Sequence, residues 1–395
     1  MVSKCDNSLF IHTSSTSQLF ILVYVDDIIV TGSSHSQVQK VIKDISTSFA
    51  LKQLGQLDYF LGIEIKHLPN GSLLMTQSKY IKDLLDRAHT TSSKDVTAPM
   101  TSTCKLSNKG DDAYDDPTFY RSIVGALQYA TFTRPDITYN VNKVCQFLSH
   151  PLNSHCAAVK RILRYLQGTT SYGLYMQQTS ISAPLALTAF CDVDWTSDID
   201  DRKSTCGACV FLDPNLITWW SKKQITISRS STKVEYKSLA LAAQELMWVE
   251  SLLKEIKFIY MTPKIYCDNL SIVVMSHNPV LHHKTKHIEL DLYFVRDKIQ
   301  NKTLFVHHIP SSLQTADVLT KPLTIDKFTN FRQQLQVKDY NNLSNTVKNP
   351  QLQGYIRVWL SVVVILANRF YYQCNCKWER FGFFSLYWQS KPSDI

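Results

Sequence analysis

No stretch of this sequence is apolar enough to cross a bilayer. The longest apolar run, Val358 to Ala367, is too short and contains Ser361. The N-terminus, Met1 to Ser8, lacks the basic start, apolar centre and small-residue cleavage site of a secretory signal peptide. These absences predict an intracellular chain, cytoplasmic or nuclear, with no membrane partner. The ten cysteines lack the layout of a zinc site. Only Cys206-Gly-Ala-Cys209 and Cys374-Asn-Cys376 lie close together, and neither has a second pair or a histidine pair at matched spacing. Reduced thiols without structural zinc are expected. Acids are also in deficit, 33 against 42 lysines and arginines, for a formal charge of +9. That balance favours an anionic partner, nucleic acid first, although a merely basic soluble protein shows the same charge.

With 395 residues, 44% of them hydrophobic, the chain can bury a large core and should hold two or more domains. Its acids fall at informative places. Leu185, Leu187 and Ala189 alternate with Ala186, Thr188 and Phe190, a strand pattern that runs into Asp192 and Asp194. A carboxylate ending a buried strand is costly unless a partner, often a metal ion, neutralises it. Glu235 stands at a helix start, Asp268 follows the strand Lys-Ile-Tyr-Cys, and Asp317 opens a late helix. Each has a plainer reading. Glu235 completes a capping box with Thr232, Asp268-Asn269 caps a helix, and Asp317 complements a helix dipole. Taken together, the four form a candidate metal site.

Earlier in the chain, Leu19 to Val30 is an apolar strand pair interrupted by Tyr24-Val25-Asp26-Asp27 and closed by the turn Thr31 to Ser34. Adjacent carboxylates at such a tip suit a two-metal phosphoryl-transfer site, and also an ordinary hairpin tip. Tyr24-Val25-Asp26-Asp27 resembles the reverse-transcriptase palm motif of copia-type LTR retrotransposon Pol polyproteins. The similarity continues through Leu54–Glu64, Gln77–Ile81, Tyr120–Gly125, Thr133–Ile137 and Lys160–Leu166. It resumes at Asp192–Trp195, Arg229–Tyr236, Cys267–Asn269, Thr285–Ile288 and Ala316–Lys321, which resemble the RNase H domain of the same polyproteins.

The resemblance implies an α/β architecture: a truncated palm over 1–95, a helical thumb and connection region over 96–180, and an RNase H-like mixed five-stranded sheet with helices over 181–325. Residues 326–395 are expected to form an irregular tail, and 90–117, rich in Ser, Thr, Lys and Asp, a linker. Helical spacing covers 36–50, 78–89 and 119–166, with a break near Arg134-Pro135, and Leu57 to Lys66 reads as a strand. In the second half, strands are expected at 185–192, 205–212, 215–227 and 304–309, with a long helix at 234–257.

For function, the resemblance implies hydrolysis of RNA in RNA–DNA hybrids with two Mg²⁺ ions, Mn²⁺ being able to substitute. Asp192, Glu235, Asp268 and Asp317 are the implied catalytic and metal-binding residues. Asp192 would bridge both ions, Glu235 and Asp268 would hold the one on the leaving side, and Asp317 would share the water-side ion. Lys222, Lys223 and Arg229 are candidate phosphate contacts; Ser230, Ser231 and Asn269 are candidate sensors of the 2′-hydroxyl. Lys143, Lys160, Arg161 and Arg164 could follow a phosphate backbone or form a solvated basic face. No catalytic role is expected for His307 or His308. Asp26 and Asp27 are a polymerase-motif remnant, because the fingers and the first palm aspartate are absent, and polymerisation by this chain alone is not expected. The resemblance admits association with an intact reverse transcriptase or other Pol and Gag products. The alternative from another class is an inactive retroelement relic that at most binds nucleic acid. Retention of all four acids favours the enzyme; the missing fingers and the aromatic, basic tail favour the relic.

Overall fold

The computed structural model describes residues 1–24, 27–49, 55–110, 112–177, 183–228, 230–278 and 289–343. The first apolar run folds as an antiparallel sheet of β1 (Leu9–Thr13), β2 (Gln18–Tyr24) and β3 (Asp27–Gly32), followed by α1 (His35–Ser48). Tyr24 pairs with Asp27 as the last pair of the β2–β3 ladder; the residues between them lie outside the described ones.

A second sheet begins with β4 (Tyr59–Phe60), β5 (Ile63–His67) and β6 (Leu73–Thr76). The expected single strand over 57–66 is instead a tight hairpin, because Leu61 and Gly62 both adopt positive φ, 48° and 72°. A two-residue turn with both central residues left-handed matches the twist of its strands. Glycine is required at 62, where a Cβ would lie 2.2 Å from the Tyr129 hydroxyl. That hydroxyl donates to the Leu61 carbonyl and pins the turn to the helices.

Helix α2 (Ser78–Arg87) follows, then α3 (Pro117–Ala130), α4 (Thr138–Cys145), α5 (Asn153–Gln167) and β7 (Tyr172–Met176). Asp116 starts α3 by accepting from Phe119 N at 2.8 Å, with Pro117 at the first helical position, where its missing N–H costs nothing. Among its described residues, the segment between α2 and α3 forms no helix and no strand beyond an isolated Ala113–Leu152 bridge. Yet Ala98, Met100 and Leu106 are buried in the same cluster as α2, α3 and α5. A division near residue 95 therefore does not separate two cores.

At the expected break after α3, Arg134 and Asp136 form a fully buried ion pair. Arg134 Nε and Nη2 donate to the two carboxylate oxygens at 3.0 and 2.8 Å, and Nη1 donates to Thr169 O at 3.0 Å. Tyr165 donates its hydroxyl to Asp136 as well.

The third sheet contains β8 (Leu187–Asp194), β9 (Thr205–Leu212) and β10 (Asn215–Lys223), then, after the 25-residue α6 (Ser231–Glu255), β11 (Lys264–Cys267). Helices α7 (Leu270–His277) and α8 (Glu289–Gln300) lead to β12 (Phe305–His308). The order across the sheet is β10-β9-β8-β11-β12, with β8 to β10 antiparallel and β11 and β12 running parallel to β8. This is the RNase H-like mixed sheet. Helix α6 covers one face with a stripe that includes Leu239, Ala243, Leu246, Val249 and Leu253, spaced three or four apart. It ends where Lys257 turns left-handed (φ 58°) and Phe258 N donates back to Leu253 O at 2.9 Å.

Strand β9 is buried at every position, the signature of a strand covered on both faces. Cys206, Ala208, Val210 and Leu212 join the α6 core, whereas Cys209 and Phe211 join the core of α2 to α5. The first sheet also belongs to the α6 core through Leu9, Ile11, Phe20 and Leu22. At that junction Gln18 Nε2 donates to Ile256 O at 3.2 Å, and Lys4 N donates to Glu255 at 2.8 Å.

The expected irregular tail is not irregular at its start. Residues Ile325–Gln334 form α9, Val337–Asp339 form β13 and Tyr340–Leu343 form α10. Phe328, Phe331 and Leu335 are buried at helical spacing, and β13 completes the second sheet beside β7, in the order β13-β7-β6-β5-β4. Residues 344–395 lie outside the described residues. Among those described, no helix is long and apolar enough to cross a membrane, and the cysteines are free thiols.

Candidate metal centre

Alternation along β8 turns Ala189 and Cys191 toward α6 and sends Phe190 to the opposite core. Asp192 shares the parity of Phe190. It lies within the strand rather than at its end, which Asp194 occupies. Because β11 runs parallel beside β8, Asp268 emerges next to Asp192 just beyond the β11 terminus. Asp317 opens a late helical element as expected, but a short 3-10 one, Thr315–Leu319, rather than an α-helix. Gln314 fixes that turn: its Nε2 donates to Cys191 O at 3.0 Å and its Oε1 accepts from Ala316 N at 3.3 Å. One carboxylate oxygen each from Asp192, Asp268 and Asp317 all lie within 4.8 Å of one another.

Gly207 makes this approach possible. It pairs with Asp192 across the sheet, and a Cβ there would stand 2.7 Å from Leu319 Cβ and 3.0 Å from Leu319 O. Gly207→Ala is expected to push the 3-10 turn outward, costing about 1–3 kcal/mol of stability. It should also weaken Mn²⁺ binding; urea midpoints and a Mn²⁺ titration would check both, and unchanged values would refute the steric argument.

The carboxylates are individually held. Ser311 Oγ donates to Asp268 Oδ2 at 2.8 Å, and His308 Nε2 lies 3.2 Å from the Asp268 carbonyl. Thr320 donates its hydroxyl to Asp192. Lys321 Nζ sits 2.8 Å from Asp317 Oδ1 and 3.5 Å from Asp192 Oδ2. Its approach to Asp317 lies outside hydrogen-bond geometry, so Oδ1, although buried, accepts no hydrogen bond. Burial, reinforced by the neighbouring Asp192 charge and opposed by Lys321, pushes the Asp317 carboxyl up to about 7. Lys321 is held above its ordinary value: burial opposes its charge, but Asp192 and Asp317 outweigh it.

Glu235 does not join the three. Helix α6 begins at Ser231 with Ser230 as its cap, so Glu235 lies in the second turn and the Thr232 capping box does not form. It is half-buried. Burial pushes its carboxyl up to about 7, against a hydrogen bond from Asn269 and with help from the charges of Asp268 and Asp192. Asn269 also caps α7, accepting from Ser271 N at 2.9 Å.

Of the expected nucleic-acid contacts, Lys222 is exposed beside the Trp220 ring. Lys223 is taken up by Asp198 at 2.8 Å and Asp201 at 3.1 Å. Lys143 is likewise buried against Asp198 at 2.9 Å, which removes both from a free basic face. Asp27 is exposed and stands apart from the three clustered acids; Asp26 and Arg229 lie outside the described residues. Sequence reasoning missed Ser311, Gln314, Thr320 and Lys321. The last two were already present in the motif Ala316–Lys321.

Residues 2–102 match the family model described as reverse transcriptase (RNA-dependent DNA polymerase). A retrovirus-related Pol polyprotein from transposon RE1 of Arabidopsis thaliana is 43% identical over 336 residues, 85% of this chain and 23% of its own length. A transposon Ty5-1 protein of Saccharomyces cerevisiae is 31% identical over 61% of this chain and 78% of its own length. The chain belongs to the copia-type retrotransposon Pol family. It spans about a quarter of the Pol polyproteins it matches from Arabidopsis thaliana and Nicotiana tabacum. Among solved structures, an RNase H1 isolated from compost is similar at 17% identity and a TM-score of 0.28, over 34% of this copia-type chain and 92% of that one.

Proposed function

We propose that this copia-type fragment hydrolyses the RNA strand of RNA–DNA hybrids at the Asp192–Asp268–Asp317 cluster, using divalent metal. The observation that carries the reading is the convergence of three carboxylates from three separate elements within 4.8 Å. The donor set fits the ion: it is all oxygen, as Mg²⁺ prefers, and includes a buried Asp317 oxygen that accepts no hydrogen bond. Bound there, a pair of Mg²⁺ ions would acidify the attacking water and stabilise the leaving oxygen of the phosphodiester.

The chain's own part is to hold and orient. Asp192, Asp268 and Asp317 are the proposed ligands; Glu235, outside their cluster but near enough for the charges of Asp268 and Asp192 to raise its carboxyl, is proposed as a fourth. Ser311 and Thr320 fix the rotamers of Asp268 and Asp192 by donating to them. Lys222, Ser230, Ser231 and Asn269 are the proposed contacts to the hybrid, with Arg229 beside them in sequence. Lys223 is left out because Asp198 and Asp201 engage it.

The test is cleavage of end-labelled RNA–DNA hybrid by the full chain, with RNA–RNA and DNA–DNA duplexes as controls. RNA in the hybrid should be cut in Mg²⁺ and spared in chelator. Cutting that survives chelation would sink the metal mechanism. Tight hybrid binding without cutting in Mg²⁺ or Mn²⁺ would leave the nucleic-acid-binding relic.

A further inference from the structure

Lys321 places an ammonium on the same oxygens that a divalent cation would need. Its Nζ lies 2.8 Å from Asp317 Oδ1 and 3.5 Å from Asp192 Oδ2. Three carboxylates within 4.8 Å of one another repel strongly in a partly buried site, and one positive charge relieves part of that repulsion. The contact is open to solvent: Lys321 makes a long hydrogen bond to Asp192 Oδ2, 3.5 Å, and an ion pair with Asp317 Oδ1, and its side chain remains 34% exposed. By contrast, the Arg134–Asp136 pair is 0% exposed on both sides and hydrogen-bonded at each carboxylate oxygen. A lysine on a flexible four-carbon stem with a route to solvent can leave its partners without breaking the fold.

We propose that Lys321 is a built-in, displaceable counter-ion: it partly offsets the charge of the carboxylate cluster in the absence of metal and is expelled toward solvent when a divalent cation binds. It thereby sets a threshold for metal loading. The inference rests on the metal-site reading above. Lys321 is a positioning residue here, acting on the carboxylates rather than on substrate. A cation that displaces it must outcompete one ammonium, so the apparent affinity falls by the lysine's own occupancy of the site. Removing the charge should then have opposite effects on the two states. The metal-free protein loses the compensation of its clustered acids, and the metal-loaded protein gains a vacant ligand set.

The experiment is calorimetric titration of the full chain with Mn²⁺, alongside thermal melts in chelator and in Mn²⁺, for wild type, Lys321→Met and Lys321→Gln. Both variants should bind Mn²⁺ about tenfold more tightly, the scale of a typical coupling between two ligands at one site. Both should melt lower than wild type in chelator, and that deficit should shrink in Mn²⁺. The glutamine variant keeps a polar head, so the inference stays open to test if the methionine variant misfolds. Equal or weaker Mn²⁺ binding in a folded variant, with wild type binding normally, would overturn the counter-ion role and leave the metal site standing. No Mn²⁺ binding by any of the three would overturn both. Binding by the variants alone would support the inference in its strongest form.

Discussion

Asp268→Asn is expected to reduce metal-dependent cleavage of RNA–DNA hybrid by about 10²–10³-fold, the scale on which removing one preorganised electrostatic group acts. The substitution keeps the side chain's shape and its hydrogen bond with Ser311 while deleting the charge of one of three carboxyl groups that lie within 4.8 Å. Stability should move the other way. With one repelling charge gone, the metal-free variant should melt above wild type, as expected where a fold carries a strained, functional cluster. The Mn²⁺-induced rise in melting temperature should shrink, because the native state has lost a ligand. Cleavage assays paired with melts in chelator and in Mn²⁺ would decide the matter. A variant that cuts at the wild-type rate would remove Asp268 from the site.

A loss of fold rather than of chemistry should follow Arg134→Met, at about 3–5 kcal/mol. Methionine leaves Asp136 fully buried with the Tyr165 hydroxyl but without its counter-charge. In the native chain burial would raise the Asp136 carboxyl, but the Arg134 charge and hydrogen bonds overcome it and hold it below the usual carboxylate range. A depressed folded value contributes stability above the unfolded value, about 4, and loses it as pH falls toward the folded one. In the variant the unpaired carboxyl favours its protonated form, so stability is lost as pH rises. The gap between the two proteins should therefore narrow below about pH 4, which urea unfolding at pH 7 and at pH 3.5 would measure. Arg134→Met combined with Asp136→Leu should recover part of the loss. A pH-independent gap would exclude the electrostatic account.

Three of the four acids were legible because a charged residue that interrupts an apolar strand or opens a turn breaks a local rule. Asp192, Asp268 and Asp317 do this, and they converge. Glu235 satisfied a local rule too well: Thr232 and Glu235 spell a capping box, but the helix starts from Ser230, and only the tertiary fold decides which serine or threonine begins it. Gly62 was visible in the motif Leu54–Glu64, but the left-handed turn needed Leu61 to follow it there, an event that residue type argues against. Strand β9 announced burial on both faces by having no polar alternation, without naming what covers each face. Helix α9 escaped notice although Phe328, Phe331 and Leu335 carry its spacing, because the text around them is polar. Lys143 and Lys223 read as a basic face; Asp198, from a distant loop, claims both.

The pairing of Val337 with Leu174 and of Asp339 with Tyr172 has a consequence for how this chain comes into being. A ribosome releases residues in order, yet the sheet begun at Tyr59 gains its β13 edge only after Asp339 has emerged. The β1–β3 sheet likewise waits for α6 before Leu9, Ile11 and Phe20 are covered. The β7 edge therefore stays unpaired, and the apolar face of β1–β3 open, until these later segments emerge, the kind of transient exposure that invites misassembly.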